Sequence, residues 1–139
     1  MSSYNFKILG IEHVGIAIKD DVLSHFFSKI LGISEVIVEE VKDQQVITEI
    51  FDTSSGKIEL LKGTSDVSPI KKFIKDKGQG VHHIALCVDN IDNAINYLKL
   101  KNIKLVYDTP RVGAEGHLVI FIHPSESPGI LVELCQKNK

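Results

Sequence analysis

Eight short stretches of the chain are rich in apolar residues, with alternation and β-branched residues clearest at 8–18, and this pattern predicts β-strands. The predicted strands are residues 8–18, 34–41, 45–52, 57–62, 81–88, 103–107, 117–123 and 129–135. Three other stretches repeat apolar residues at intervals of three and four after a helix-capping residue, so they predict amphipathic helices. These helices begin at Asp20 or Asp21, at Ser68, and at Asp89 or Asn90.

The elements occur in the same order twice, and so does part of the sequence. Residues 11–20 read IEHVGIAIKD, and residues 81–90, seventy positions later, read VHHIALCVDN. Each copy belongs to a unit too small to bury a core alone. We therefore predict an α+β fold in which two βαβββ modules pack about a pseudo-two-fold axis. The predicted parts of this single domain, residues 1–139, are module 1 at about 8–64, a linking helix at about 68–77 and module 2 at about 81–136.

Two histidines and two glutamates occupy equivalent positions in the modules, namely His13 and His83, and Glu59 and Glu133. Strand alternation puts each histidine on a face of small residues, and each glutamate interrupts an apolar strand, where a lone carboxylate is costly to bury. The pseudo-two-fold axis would bring all four to one cup. Two imidazoles and two carboxylates suit a six-coordinate divalent ion such as Co²⁺, Mn²⁺, Ni²⁺ or Fe²⁺. The same ligands do not exclude Mg²⁺ or Zn²⁺. We predict one such ion per subunit.

The remaining histidines receive a different interpretation. Alternation places His82 on the packed face of its strand, where we expect a structural histidine that satisfies a buried hydrogen bond. His25, His117 and His123 have no equivalent in the other module and are left without a role.

Composition narrows the class of protein. The chain has 139 residues, 43% of them hydrophobic and 24% charged, with a net charge of -2. This charge gives no general attraction for nucleic acid or an anionic membrane. The first residues lack the apolar run of a signal peptide and no stretch approaches a membrane span, so we expect a cytoplasmic protein. Cys87 and Cys135 are interpreted as buried free thiols, with a disulfide as the alternative.

Several motifs resemble the methylmalonyl-CoA epimerase family of the vicinal oxygen chelate superfamily, over nearly the whole chain. The similar segments are residues 13–18, 58–61, 68–70 with Phe73, 81–85, 110–116, 121–124 and 129–134. The adjacent histidines at 82 and 83 and the Gly-Ala-x-Gly loop at 113–116 separate this family from other branches. The resemblance implies a metal-lined cup whose ligands are His13, Glu59, His83 and Glu133, and it implies a homodimer.

The resemblance also implies an isomerase that interconverts (2R)- and (2S)-methylmalonyl-CoA through an enolate. The metal would stabilise the developing negative oxygen, and Glu59 and Glu133 on opposite sides of the carbon would carry the proton. For some members of the family, the resemblance implies a different scheme, in which a separate glutamate on a first-module strand is the base. That position here is Thr48, and Glu49 beside it should face the other way. The first-module proton carrier is therefore Glu59 or a residue near Thr48 and Glu49.

The coenzyme A phosphates would need cationic side chains or close backbone N–H groups. Lysines cluster around the helix that begins at Ser68, although a solvated helix face explains the lysines equally well and an N-cap explains Ser68. The glycines at 113–116 allow close approach of the backbone to an anion, although an ordinary hairpin explains them equally well. The segment around Gln44 also resembles the acid-Gln-Gly segment of the family, although in this chain Gln45 replaces the glycine. The candidate substrate-binding residues are Gln44, Ser68, Lys72, Arg111, Gly113 and Gly116.

Three alternatives remain open at the level of sequence. A glyoxalase I-type lyase would use the same four ligands and enolate chemistry on a glutathione hemithioacetal. A non-catalytic protein of this fold would bind a small ligand, although such relatives generally lack the full ligand set. A related substrate such as ethylmalonyl-CoA differs by one methylene, which an apolar pocket discriminates by about 1–3 kcal/mol.

Overall fold

The structure is a computed structural model that describes residues 5–137, and for residues 35 and 36 the backbone alone. Its contacts divide the chain into two compact units. One is His13–His82, and the other combines the described residues up to Glu12 with those from His83 onward. The expectation that no signal peptide is present rests partly on residues 1–4, which lie outside the described residues.

The sheet of the His13–His82 unit has the strand order β2-β3-β4-β1. Its strands are β1 (Ile8–Ala17), β2 (Glu35–Val41), β3 (Val46–Asp52) and β4 (Lys57–Gly63), of which β1 enters this unit at His13. The β2, β3 and β4 strands are antiparallel neighbours, whereas β4 runs parallel to β1. Ile18, Phe51 and Leu60 form a buried cluster against the first helix, because alternation turns their side chains to one face of the sheet.

Two helices belong to the same unit. The first, α1 (Val22–His25), continues as a π-helical turn at Phe26–Ile30, so the single helix predicted here changes its hydrogen-bonding pattern halfway. Gly32 follows with a φ of +72°, the left-handed conformation that commonly ends a helix. The second, α2 (Pro69–Lys77), begins after Ser68, whose hydroxyl accepts a hydrogen bond from the N–H of Ile70 at 3.2 Å.

The other unit places its strands in the order β5-β8-β7-β6. The elements are β5 (Gly80–Val88), which enters this unit at His83, α3 (Ile91–Leu100), β6 (Arg111–Val112), β7 (Leu118–Phe121) and β8 (Leu131–Gln136). The β5 and β8 strands are parallel, and Asn90 caps α3 by accepting from the N–H of Asn93 at 2.9 Å. None of the helices in the described part of the chain has the length and apolar character of a membrane span.

The prediction of a strand at 103–107 is wrong. Within that segment only Leu105 forms a β-bridge, to Ile122, and the short strand β6 lies further along the chain. The N–H of Lys104 donates instead to the carboxylate of Glu126 at 2.6 Å. A side chain distant in sequence therefore takes a backbone donor that a regular ladder would have used, and local alternation carries no information about such a competitor.

Candidate metal and active site

In the His13–His82 unit, His13 and Glu59 form a buried pair. The parallel register of β1 and β4 sets Gly15 opposite Glu59, and His13 lies two residues earlier on the same face. Because Gly15 has no side chain, the Glu59 carboxylate can lie diagonally toward the imidazole. The distance from His13 Nδ1 to Glu59 Oε2 is 3.0 Å, and the two side chains are only 6% and 5% exposed.

In the other unit, His83 and Glu133 form a buried pair in the equivalent strand register, although His83 faces the carboxylate with Nε2 where His13 uses Nδ1. The parallel register of β5 and β8 sets Ala85 opposite Glu133, and His83 again lies two residues earlier. The distance from His83 Nε2 to Glu133 Oε1 is 3.4 Å, with both side chains buried. The ring of Phe121 packs edge-on against the His83 imidazole, with 5.7 Å between ring centroids. Each unit thus offers one imidazole nitrogen and one carboxylate oxygen from neighbouring parallel strands.

The geometry of these pairs fits a divalent ion. Two ligand atoms that lie about 2.1 Å from one ion and at a right angle are about 3 Å apart, close to the two distances in the structure. Imidazole and carboxylate together suit divalent transition metals, and burial keeps both groups from water. The unit that contains His83, the second unit, also holds a set of three residues whose ligand atoms lie within 4.8 Å of one another, namely Glu12, Glu115 and His117. The described residues therefore contain His and Glu groups that can hold a metal.

The separate first-module glutamate that is implied for some relatives is replaced here by Thr48, on the sheet face that carries the Glu59 carboxylate. Thr48 pairs with Leu61, and Ile50 pairs with Glu59, so Thr48 lies on the face of the Glu59 carboxylate and is fully buried. Glu49 lies on the opposite face, where its carboxylate accepts a hydrogen bond from the Ser24 hydroxyl at 2.7 Å. A threonine hydroxyl cannot act as a general base at neutral pH, and Glu49 contacts α1 instead.

Replacing Glu49 by glutamine should therefore leave the rate of proton exchange, from the acyl-CoA substrate that the family resemblance implies, within about a factor of two of the wild-type rate. The amide oxygen of glutamine can still accept from Ser24, so the fold should also persist. The rate is measured by proton NMR in heavy water, beside a Glu59→Gln variant as the comparison. A loss of 100-fold or more in Glu49→Gln would identify Glu49 as a proton carrier and contradict the assignment made from strand alternation.

The candidate coenzyme A residues on α2 have different surroundings. Ser68 is fully buried and its hydroxyl caps the helix, so the structure places it in a structural contact. Lys72 is exposed and pairs with Asp76 at 3.2 Å, one helical turn on. Of the two, Lys72 is the residue whose charge a phosphate in solvent could reach.

The 110–116 segment forms a tight hairpin. Arg111 is exposed and its guanidinium lies 4.0 Å from the centroid of the Tyr107 ring. The N–H of Gly113 donates to the carbonyl of His117, and the N–H of Gly116 donates to the carbonyl of Gly113. Glu115 and Gly116 both have positive φ, at 59° and 74°, which explains a glycine at the second position. These backbone donors are used within the hairpin itself.

Gln44 lies elsewhere, in a single 3₁₀ turn, Lys42–Gln44, that connects β2 to β3. It is half-buried. The next residue, Gln45, has a φ of 53°, the left-handed conformation that glycine adopts at no steric cost. Its side chain accepts a hydrogen bond from the Ser65 hydroxyl at 2.5 Å, a contact that a glycine at this position could not make.

His82 and the cysteines are structural in character. Burial, with a smaller contribution from Lys77, lowers the pKa of His82 to about 4, so the ring is neutral at physiological pH. Its ring packs edge-on against Phe73 with 5.0 Å between centroids.

Cys87 and Cys135 are buried free thiols with 3.9 Å between their sulfur atoms. Burial raises the pKa of the Cys135 thiol, and the neighbouring Cys87 adds to this rise. The interpretation of both as buried free thiols is confirmed.

Two features of the second unit were missed by the sequence analysis. Glu12, which directly precedes the ligand candidate His13 in a largely apolar strand, is 3% exposed and forms an ion pair with Lys137 at 3.0 Å. Tyr107 lies in the segment that was predicted as a strand, and its hydroxyl is buried. The only sequence signal for Glu12 was a charge inside an apolar run, and Tyr107 gave none.

Comparisons with known proteins agree with this arrangement. The family model for the Glyoxalase/Bleomycin resistance protein/Dioxygenase superfamily matches residues 12–121. Methylmalonyl-CoA epimerase of Mus musculus is 37% identical over 139 aligned residues, which cover 97% of this chain and 77% of the relative. The crystal structure of methylmalonyl-CoA epimerase from Mycobacterium tuberculosis superposes with a TM-score of 0.91 at 30% identity, covering 100% of this chain and 93% of that one.

A further solved structure is that of a methylmalonyl-CoA epimerase in complex with methylmalonyl-CoA and NH4+. It has a TM-score of 0.88 at 30% identity and covers 94% of this chain and 96% of that one. The predicted α+β fold of the vicinal oxygen chelate type is confirmed by these matches. The chain belongs to the Glyoxalase/Bleomycin resistance protein/Dioxygenase superfamily and, within it, to the methylmalonyl-CoA epimerase family.

Proposed function

We propose that this protein is a methylmalonyl-CoA epimerase, which interconverts the (2R) and (2S) forms of its substrate. The observation that carries the proposal is the equivalent strand register of the two buried pairs, His13 with Glu59 and His83 with Glu133. Matched pairs are what a reaction needs when it treats two faces of one carbon alike. The mouse and bacterial epimerases among the relatives support the same conclusion.

We propose further that the two pairs together bind one divalent metal ion. An ion held by these residues supplies a positive charge that stabilises negative charge developing on a substrate oxygen. His13 and His83 would act only as ligands, because neutral imidazoles bind metal through a ring nitrogen. The family resemblance favours Co²⁺ and a cytoplasmic homodimer, and these finer assignments rest on that resemblance.

Glu59 and Glu133 are proposed as the two proton carriers. The α-hydrogen lies between a thioester and a carboxylate, so its removal leaves an enolate whose charge spreads onto oxygen. One carboxylate takes the proton from one face of this carbon, and the other returns a proton to the opposite face. Since Thr48 cannot act as a base and Glu49 contacts Ser24 on the other face, Glu59 is the carboxylate available in the first unit.

The direct test is proton NMR of (2R)-methylmalonyl-CoA in heavy water, with cobalt-loaded protein and with enzyme-free and chelator-treated controls. We expect metal-dependent loss of the α-proton signal and collapse of the methyl doublet. A coupled assay that consumes only one epimer reports inversion. Absence of exchange above the controls would refute the proposal, and turnover of a glutathione hemithioacetal in its place would identify a glyoxalase I-type lyase.

A second prediction concerns the coenzyme A moiety. Lys72→Glu should raise KM by about fivefold with little change in kcat, because a phosphate contact stabilises the bound substrate and the transition state equally. The matched control is Lys29→Glu, an exposed charge reversal on the π-helical turn that follows α1. A KM equal to that of the control would remove α2 from the substrate-binding surface.

A further inference from the structure

Glu12, Glu115 and His117 form a group of metal-binding side chains that the proposed four-residue centre does not use. One ligand atom from each residue lies within 4.8 Å of the other two. The distance from His117 Nε2 to Glu115 Oε2 is 3.7 Å. Two ligand atoms that lie about 2.1 Å from one ion in a tetrahedral arrangement are about 3.4 Å apart. Small movements of the side chains would therefore let all three bind the same ion.

Burial differs among the three residues in a way that suits an ion taken up from solution. The Glu12 side chain is 2% exposed, whereas the side chains of Glu115 and His117 are 21% and 15% exposed. A carboxylate as deeply buried as that of Glu12 needs a compensating positive charge or hydrogen-bond donors. The group thus combines a buried negative charge with two ligands that solvent can reach.

The structure already shows a cation beside Glu12. The Lys137 ammonium lies 3.0 Å from the Glu12 carboxylate, and this hydrogen bond raises the pKa of the lysine. The lysine side chain is 49% exposed, so it can move into water at little cost in free energy. A divalent ion carries twice the charge of the ammonium group, and neutral imidazole is a common ligand of such ions. The position therefore favours a cation, and Lys137 is one that can be replaced.

The three residues come from two separate parts of the second unit. Glu12 lies on the part of β1 that belongs to this unit. Glu115 lies in the 3₁₀ turn Ala114–Gly116, and His117 directly precedes β7. An ion bound to all three would tie the 110–116 hairpin to β1, a contact that no regular strand pairing supplies, because β6 pairs with β7.

We infer that Glu12, Glu115 and His117 form a second site for a divalent transition-metal ion such as Zn²⁺, and that the bound ion replaces the Lys137 ammonium at Glu12. One imidazole and two carboxylates are ligands that zinc accepts, and three protein ligands leave one tetrahedral position open to water. The site goes beyond the proposed epimerase function, because its residues are not among the four proposed ligands of the first ion.

The first test counts zinc ions by equilibrium dialysis. Wild-type protein should bind two equivalents of Zn²⁺. His117→Asn should weaken one of the two by at least about 100-fold and leave the other unchanged, since loss of even an outer partner of a metal ligand costs 10- to 100-fold. His83→Ala should weaken the other one, and a variant with both changes should lose both. His123→Asn, at an exposed histidine of the same unit, is the matched control.

The second test removes the competing ammonium with Lys137→Gln. Its melting temperature without metal should fall, because Glu12 loses the cation beside it. Zn²⁺ should bind the second site about fivefold more tightly than in the wild type, the upper end for a partly exposed ion pair, and should raise the melting temperature of the variant more. Lys62→Gln, which breaks the exposed pair of Lys62 with Asp21, is the control and should bind zinc as the wild type does.

The possible results separate this site from the four-residue centre. A single zinc equivalent that is lost in His83→Ala and kept in His117→Asn would overturn the second site and leave the four-residue centre intact. A single equivalent with the opposite dependence would support the second site and refute the four-residue centre. Unchanged zinc affinity in Lys137→Gln would overturn the replacement of Lys137 by the ion. Because Lys137→Gln is expected to gain affinity, a general loss of folding cannot imitate the predicted result.

Discussion

Glu133→Gln is expected to lower the rate of epimerisation by about 100- to 10,000-fold with metal still bound, the range typical for loss of a general acid or base. The side chain is 7% exposed, so the amide keeps the shape of the site while it loses the ability to take a proton. Glu59→Gln should have an effect of the same order, because the two carboxylates stand in equivalent strand registers.

The two variants should differ in a way that identifies a two-base mechanism. Each should still exchange the α-proton of one epimer of methylmalonyl-CoA with heavy water, since the remaining carboxylate serves one face of the carbon. The epimer that Glu133→Gln exchanges should be the one that Glu59→Gln does not. Proton NMR of the separate epimers measures exchange, and a stereospecific coupled assay measures inversion.

The control for both variants is Glu40→Gln, an exposed carboxylate on β2. Metal content must be determined for each protein, so that loss of a ligand is not mistaken for loss of a base. Full epimerase activity in metal-loaded Glu133→Gln would show that the mechanism is wrong. Loss of exchange from both epimers in either variant would point to a single carboxylate that serves both faces.

Removal of the metal is expected to have the second large effect. Chelation should abolish proton exchange, because the enolate charge then has no cation to stabilise it. The same treatment should lower the melting temperature. At a metal concentration 100 times the Kd, binding stabilises the folded state by about 2.7 kcal/mol, which corresponds to roughly 10 °C in a chain of this size.

Single-ligand variants separate this effect from general damage by the chelator. His13→Ala and His83→Ala should each weaken metal binding by at least about 100-fold, since loss of even an outer partner of a metal ligand costs 10- to 100-fold. His25→Ala, at an exposed position on α1, is the matched control. Calorimetric titration with Co²⁺ measures the affinities. Unchanged affinity in both ligand variants would contradict the proposed four-residue centre.

Much of the candidate site was determined by local pattern. The repeat of residues 11–20 at 81–90 identified His13 and His83 as equivalent, and alternation predicted the face of each. The structure then gave both the same relation to a glutamate two positions along a parallel neighbour. The orientation of Glu49 away from Glu59 also followed from alternation, because the side-chain period of a strand is fixed by its backbone geometry.

Other features depended on contacts between residues distant in sequence. The segment 103–107 has the apolar alternation of a strand, yet the Glu126 carboxylate takes the N–H of Lys104 and the pairing is limited to a single bridge at Leu105. The change from α1 to a π-helical turn likewise has no counterpart in the spacing of apolar residues. A periodic pattern reports which face is buried, whereas hydrogen-bond partners are set by what packs against that face.

The sequence by itself determined the fold class, the duplicated order of elements and the four buried candidate ligands, because strand and helix periods and the repeat are local properties of the chain. Only the tertiary structure decided that Glu12 pairs with Lys137, that Ser68 is fully buried, and that the Tyr107 hydroxyl lacks a partner beside Phe121. Satisfaction of a buried polar group depends on every atom around it, and those atoms come from segments that only the folded chain brings together.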